Sequence, residues 1–209
     1  MRMLQFSETG KKVPIFLIAG ALVLGAAACS DDSTGVELSS VRILLTDAPS
    51  EVIASAEVWI SRVYLQGGDD EGTEGAGMDL FNDPDNPQHY DLLTLQNGVT
   101  VDLTGAVDVG VGIYRSLLLV VDRAEVTLAD GLLFEDGTNS ATLFVPSGSS
   151  SGIKVLLVHD LELLAGETTT LTVDFDVAQN FVLQGNDGSG SVRGINFTPL
   201  LRELTRNHS

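Results

Sequence analysis

The chain contains very little cysteine, few basic residues and no apolar run long enough to cross a membrane. Cys29 is the single cysteine, so no intramolecular disulfide stabilises the fold and the core has to be stable without one. The most apolar stretch, Val13–Leu24, has about a dozen residues, whereas a membrane-spanning helix needs roughly 20. These absences exclude a disulfide scaffold and a transmembrane helix at this stretch.

Positive charge is scarce, since 11 Lys and Arg residues stand against 29 Asp and Glu residues. The formal net charge is -18. Nucleic acids and anionic lipid headgroups are polyanions, so we expect neither to be a direct partner of this chain. The same charge is compatible with high solubility and with cation binding.

The N-terminus has the layout of a lipoprotein signal peptide. Arg2, Lys11 and Lys12 precede the apolar stretch, and the small residues Ala26–Ala28 precede Cys29. This order predicts cleavage after residue 28 and lipidation of Cys29. A thioether-linked diacylglyceryl group and an N-terminal acyl chain supply the two anchors that stable membrane attachment needs. An ordinary secretory signal cut at the same place, with an incidental cysteine, is the alternative.

The predicted location is the bacterial cell envelope, with the membrane contacted through the lipid. Ser30 follows Cys29 and lacks the acidic side chain that often retains lipoproteins at the inner membrane. If the cell is Gram-negative, we therefore expect the outer membrane. The predicted organisation is a signal peptide (1–28), a flexible tether (29–37), a β domain (38–203) and a polar tail (204–209).

Apolar alternation predicts strands over most of the remaining chain. Apolar residues alternate at Val41–Leu45 and again at Ala56–Ile60, which is typical of half-buried strands. The apolar positions change parity by Val63, so the sequence predicts a β-bulge near Ser61–Arg62. Residues 113–121 are apolar on both faces at their far end, which predicts a central strand covered on both sides.

Turn signals divide the chain into many short segments. Residues 67–89 are rich in Gly, Asp, Asn and Pro and are predicted to form a long loop, while Asn97–Gly98 and Asp130–Gly131 predict hairpin turns. No segment shows a sustained helical period. The sequence therefore predicts an all-β fold, an antiparallel β-sandwich of immunoglobulin-like or transthyretin-like type. Further strands are predicted at 141–145, 153–158, 168–175, 181–183 and 192–201.

Several motifs in order along the chain resemble one known family. The chain is similar to the bacterial domain of unknown function 4382 family over about residues 38–203. The resemblance implies a secreted or lipid-anchored all-β domain of the bacterial envelope and implies no activity. The motifs that carry it are Leu44–Pro49, Asp91–Gly98, Gly112–Tyr114, Pro146–Gly148 with Ser151–Lys154, and Leu171–Asp176.

Ser150 lies in a G-x-S-x-G pattern, Gly148–Gly152. In hydrolases this pattern depends on a strained strand-to-helix turn that exposes the serine hydroxyl. Here the following segment, Ile153–Val158, is predicted to be a strand, and a Gly/Ser loop produces the pattern by composition alone. A hydrolase that uses Ser150 is therefore kept only as an alternative.

The predicted long loop is a candidate calcium site, because its carboxylates supply the oxygen ligands that Ca²⁺ takes. Asp83 begins a segment like an EF-hand loop, but Gln88 and Thr94 occupy the positions that require Gly and Glu. A solvated insertion without metal is the favoured interpretation. The candidate ligands are Asp69, Asp70, Glu71, Glu74, Asp83 and Asp85, with Asp79 between the two groups.

Trp59 is a candidate ligand-binding residue. It alternates with polar residues and so lies on the polar face of its strand, where an exposed tryptophan stacks on a sugar ring or anchors a partner. A tryptophan covered by the long loop or by the bulged strand is the alternative. A second pair, Asp174 and Asp176, faces one side of a strand and is predicted to cap a turn at the strand end.

The function predicted from the sequence is a lipid-anchored envelope β-sandwich that acts as a non-catalytic binding or structural module. We expect no catalytic residue and no cofactor, and a partner that is either a protein or a glycan. A calcium-dependent binding or adhesion module that uses the acidic loop, 69–85, is the first alternative. A hydrolase is the second.

Overall fold

The computed structural model describes residues 37–67, 77–145, 152–185 and 190–209. Among them it has sixteen strands, one short α-helix, α1 (Val177–Asn180), and a 3-10 helix at Leu92–Leu95. The strands are β1 (Leu38–Thr46), β2 (Ile53–Gly67), β3 (Met78–Asn82), β4 (Gln88–Asp91), β5 (Val101–Asp102), β6 (Val107–Gly110), β7 (Gly112–Leu128), β8 (Leu133–Phe134), β9 (Ser140–Leu143), β10 (Ile153–Leu156), β11 (Leu161–Leu163), β12 (Thr168–Asp174), β13 (Phe181–Gln184), β14 (Ser191–Val192), β15 (Gly194–Phe197) and β16 (Leu201–His208).

Twelve of these strands form one mixed sheet, in the order β3-β2-β7-β10-β16-β12-β1-β5. Strands β4, β6, β9 and β11 pair with members of this row, and two further pairs, β13–β15 and β14–β8, lie outside it. The all-β class is thereby confirmed. The prediction of an antiparallel sheet is wrong, because β1 pairs with β12 and β10 pairs with β16 in parallel. Each parallel pair joins strands that are far apart in sequence. No hairpin turn connects them, so the pairing cannot be predicted from turn residues.

Strand β7 is the centre of the sheet. It pairs with β2 along one edge, and with β11, β10 and β9 in succession along the other. Its residues Leu117–Val121 are all buried, which confirms the predicted central strand. Inward residues of β2 and β7 join those of β1 and β12 in one apolar core, while Leu118 and Val120 form a small second cluster with Tyr64.

The predicted bulge lies where the two central strands face each other. Ile60 pairs with Val121 and Arg62 with Val120, so Ser61 and Asp122 are each extra residues on their strands. The Ser61 hydroxyl donates a 2.8 Å hydrogen bond to the Asp122 carboxylate. On both strands, the alternation of inward and outward residues shifts by one position at these two residues. This confirms the β-bulge that the sequence predicted near Ser61.

The prediction of an unbroken loop at 67–89 is wrong over the residues that the structure describes. Strand β3 pairs with the distal half of β2 and β4 pairs with its proximal half. Leu80 of β3 is buried in the apolar core. This burial stabilises a strand within a segment that has the composition of a loop. Residues 68–76 lie outside the described part.

Both predicted turns are present, with different partners from those expected. Asn97 and Gly98 have positive φ angles of 58° and 83°, but the 3-10 helix precedes them where a hairpin needs a strand. After Asp130–Gly131 the strand that pairs with β7 is β9, not the adjacent β8. The boundary predicted at 203 lies inside β16, which continues to His208 by pairing with β12. Within the described residues, no helix has the length and apolarity needed to span a membrane.

Candidate functional site: the outer face of β2, β7 and β9

The side of the sheet opposite the core carries a regular array of polar and aromatic side chains, called here the outer face. It consists of the outward residues of four neighbouring strands, β4, β2, β7 and β9, whose registers align them in rows. Alternate residues of the same strands, such as Val58, Ala124 and Ala141, point into the core or pack against it. The outward residues form an aromatic and cationic row (His89, Trp59, Arg123), a carboxylate row (Glu57, Glu125, Thr142) and a hydroxyl row (Ser55, Thr127, Ser140).

Trp59 is partly buried at the middle of the first row. The His89 ring stacks on the indole with centroids 4.4 Å apart and planes 13° from parallel. The Arg123 guanidinium carbon lies 4.6 Å from the indole centroid. Because β4 and β7 flank β2 on opposite sides, the two side chains cover opposite faces of the ring. A sugar therefore has to displace one of them before it can stack on Trp59.

The two glutamates of the second row each have a basic neighbour. Glu57 is 3.0 Å from the His89 Nε2 atom, and Glu125 forms an ion pair with Arg123 and accepts a 3.2 Å hydrogen bond from the Thr142 hydroxyl. The hydrogen bond from Arg123, followed by that from Thr142, holds the pKa of Glu125 below its ordinary value. Like charges on facing strands repel, so these neighbours stabilise the Glu57–Glu125 pair.

Two concave surfaces adjoin along β9. The first, of about 200 Å³, lies over the carboxylate and hydroxyl rows between β2 and β9. The second, of about 410 Å³, lies between β9 and the segment 193–195, with Phe134, Glu135 and Asp136 in its wall. Ser140, Ala141 and Thr142 line both, so the two surfaces meet at β9.

Phe144 lies at the rim of the second surface with 84% of its area exposed. It is the next residue after β9, and continuing the β7–β9 register places it beside Arg123. Phe144 was not among the residues predicted from the sequence to bind a ligand. The signal was the alternation of Ala141, Leu143 and Val145, which predicts that Phe144 points outward.

A buried carboxyl cluster lies at the other end of the core, where β1 and β12 end. Asp47 is 5% exposed. Its Oδ1 atom accepts a 2.8 Å hydrogen bond from the backbone N–H of Val177, and its Oδ2 atom has no hydrogen-bond partner among the described residues. Burial raises the pKa of Asp47 to about 7, and the nearby Asp174 and Asp176 contribute in the same direction. Burial also raises the pKa of Asp174.

Asp174 and Asp176 cap the turn between β12 and α1, as the sequence predicted. Asp174 accepts a hydrogen bond from the backbone N–H of Asp176, and Asp176 accepts one from that of Gln179, each 3.2 Å long. Asp176 has a left-handed backbone, with φ of 51°, and pairs with Arg202 at 3.0 Å. The ion pair between Asp176 and Arg202 connects the start of α1 to β16, so we assign Asp176 a structural role.

The Asp176→Ala variant is expected to lose about 1–2 kcal/mol of unfolding free energy. The change removes a helix cap and leaves the Arg202 guanidinium without this partner. Chemical denaturation measures the loss, and Asp108→Ala, at an exposed residue of β6, is the matched control. A denaturation midpoint equal to that of the wild type contradicts the assigned role.

The structure does not bring the described calcium candidates together. Asp79 lies 2.5 Å from Arg62, and the Asp83 carboxylate accepts a 3.0 Å hydrogen bond from the backbone N–H of Asn86. Asp85 follows in the same bend. Over the residues described, no group of three or more His, Cys, Asp or Glu side chains is arranged to hold a metal ion. Outside the described residues lie Asp69, Asp70, Glu71, Glu74, Ser150 and Cys29, so the predictions about them stay predictions.

The fold and the outer face define a class: an all-β domain with one polar, partly aromatic sheet surface. The chain belongs to the family described as Domain of unknown function (DUF4382), whose sequence model matches residues 38–191. This match confirms the family that the sequence motifs indicated. No curated protein and no solved structure gives a significant match to the chain.

Proposed function

We propose that the protein is a lipid-anchored envelope protein whose β domain is a non-catalytic binding module, with the outer face as its binding surface. The observation that carries this proposal is Phe144, a large aromatic side chain left 84% exposed at the rim of the second concave surface along β9. Large aromatics are mostly buried in folded proteins. An exposed aromatic residue beside a concave surface supports a recognition site, because aromatic residues are enriched where proteins bind their partners.

The frame beneath this surface is suited to binding. Strands β2 and β7 are hydrogen-bonded on both edges for most of their length, and their inward residues belong to the apolar core. Side chains on such strands keep a fixed spacing, which limits the entropy lost when a ligand is bound. The geometry favours recognition by a preformed surface.

The chemistry of the outer-face acids favours binding over catalysis. A general acid or base works best when its pKa lies near the operating pH. The Arg123 hydrogen bond keeps the pKa of Glu125 low instead, and Glu57 is paired with His89. Both carboxylates are placed to accept hydrogen bonds from neighbouring groups.

The proposal places the domain on the envelope through lipidated Cys29, with residues 1–28 as the signal peptide and the outer membrane as the destination in a Gram-negative cell. We also propose that the curled sheet has the two-layer arrangement of an immunoglobulin-like or transthyretin-like sandwich. This is supported by the main apolar core, which collects inward residues from β1 and β12 together with those of β2 and β7.

A blocked outer face tests the binding function. In Thr142→Arg, a bulky charge stands where both concave surfaces meet, while Thr205→Arg places the same change on an exposed position of β16. The probes are immobilised neutral hexasaccharides and an extended peptide of alternating lysine and valine. We expect the wild type and Thr205→Arg to bind at least one probe class, and Thr142→Arg to bind it at least about tenfold more weakly. Equal binding by all three proteins, or no binding to either class, contradicts the proposal.

A further inference from the structure

We propose that the ligand of the outer face is a neutral saccharide chain that stacks on Phe144 and extends across β9 towards Glu125. This inference rests on the proposed binding function and adds the chemical class of the ligand. Three observations carry it: an aromatic ring with accessible faces, a neighbouring set of hydroxyl and carboxylate groups, and an excess of negative charge around them.

Phe144 supplies the stacking surface that Trp59 does not. Its backbone position is fixed on both sides, because Leu143 packs against the core and Val145 is buried. The ring therefore points outward as a consequence of strand alternation. The faces of Trp59 are covered by His89 and Arg123. The C–H groups on the apolar face of a sugar ring pack on an open aromatic face, because that face carries partial negative charge.

The groups next to Phe144 match the hydroxyls of a sugar. Thr142, two residues earlier on the same side of the strand, donates to Glu125 over 3.2 Å. The hydroxyls of Thr127 and Ser140 are 3.4 Å apart, which is longer than the usual range of about 2.5–3.0 Å for a hydrogen bond between oxygens. Hydroxyl groups donate and accept hydrogen bonds, and carboxylates accept them. The hydroxyls of Thr127, Ser140 and Thr142 can therefore exchange these contacts for hydrogen bonds with a ligand hydroxyl.

The opposite wall of the second concave surface is also polar. Glu135 and Arg193 lie 3.7 Å apart, and their side chains are 63% and 72% exposed. Phe134 and Ile195 are the apolar residues of this wall. Apolar and polar groups alternate on this wall, which suits a ligand whose surface alternates between C–H groups and hydroxyls. An amphipathic helix needs a continuous apolar groove instead.

The local charge selects among saccharides. The four acidic residues on the two concave surfaces, Glu57, Glu125, Glu135 and Asp136, outnumber the neighbouring arginines, Arg123 and Arg193. The whole chain, these residues included, has a formal net charge of -18. An anionic polysaccharide is repelled by this field, so a neutral one is the better match.

The test is calorimetric titration of the protein, purified in detergent from the cells that make it, with neutral hexasaccharides of glucose, mannose, galactose, xylose and N-acetylglucosamine. We expect at least one to bind. Phe144→Ala should weaken that binding about tenfold or more, and Phe144→Tyr should retain it. Leu204→Ala, at a 59% exposed apolar residue of β16, is the control and should bind like the wild type. A hexasaccharide of galacturonate should bind more weakly than its neutral galactose counterpart.

Three results overturn the saccharide proposal: no neutral hexasaccharide binds, Phe144→Ala binds as well as the wild type, or the galacturonate chain binds best. The lysine–valine peptide separates this failure from failure of the binding function. If the peptide binds and Thr142→Arg abolishes its binding while no saccharide binds, the outer face is a binding site for an extended basic chain and the saccharide proposal is wrong. If neither class binds, both proposals are wrong.

Discussion

Replacing Cys29 with serine is expected to move the protein from the membrane fraction to the soluble fraction almost completely. The thioether requires the cysteine sulfur, and each buried methylene of an acyl chain contributes about 0.8 kcal/mol to membrane attachment. Fractionation of cells followed by detection of the protein measures the shift.

Ser30→Ala is the matched control, because it alters the next residue and leaves the sulfur in place. This variant should stay with the membranes. Metabolic labelling with a radioactive fatty acid should mark the wild type and Ser30→Ala but not Cys29→Ser. If Cys29→Ser remains in the membrane fraction, attachment does not depend on the lipid and the proposed anchor is wrong.

Asp47→Asn is expected to stabilise the protein by roughly 2–4 kcal/mol at about pH 8 and to have little effect at about pH 4. Burial raises the pKa of Asp47 to about 7 in the folded protein, from an ordinary value of 3.8. Between these values the unfolded chain loses its proton and the folded protein keeps it, so stability falls as the pH rises. Above the folded pKa the cost of the buried charge is fully present, and asparagine removes it.

The measurement is thermal or chemical unfolding of both proteins across this pH range. The gain of Asp47→Asn should appear as the pH rises from about 4 to about 7 and then level off. Asp136→Asn is the control of opposite sign, because the backbone N–H of Thr138, followed by its hydroxyl, lowers the pKa of Asp136. That change should bring no gain at high pH. A pH-independent difference for Asp47→Asn contradicts a charge buried at this position.

Local patterns predicted the elements whose structure depends on local alternation. The inward residues of β1 follow from the period of two, and the bulge at Ser61 follows from a change in that period on one strand. The pairing of β1 with β12 did not follow, because a parallel partner 128 residues away, as in the Ser39–Glu167 contact, leaves no turn in the sequence. Strand β3 was missed because the segment around it has the composition of a loop. Its pairing with β2, which the composition does not reveal, makes it a strand.

The candidate site was predictable in part. Alternation placed Trp59 on the outer face, but the covering of its ring by His89 and Arg123 depends on the register of three strands. The same alternation could have predicted that Phe144 points outward, since its neighbours Leu143 and Val145 are apolar. The burial of Asp47 was not, because it arises from contact with α1, which lies far along the chain.

The most direct test of the binding function is a hydrogen-exchange map of the wild-type protein with and without the tightest-binding probe. Occupation of the outer face should slow amide exchange at residues 123–127 and 140–144, which carry the carboxylate and hydroxyl rows and Phe144. Exchange along β16, at residues 201–208, should not change. If the ligand slows exchange at β16 or elsewhere and leaves 123–127 and 140–144 unaltered, the outer face is not the binding surface.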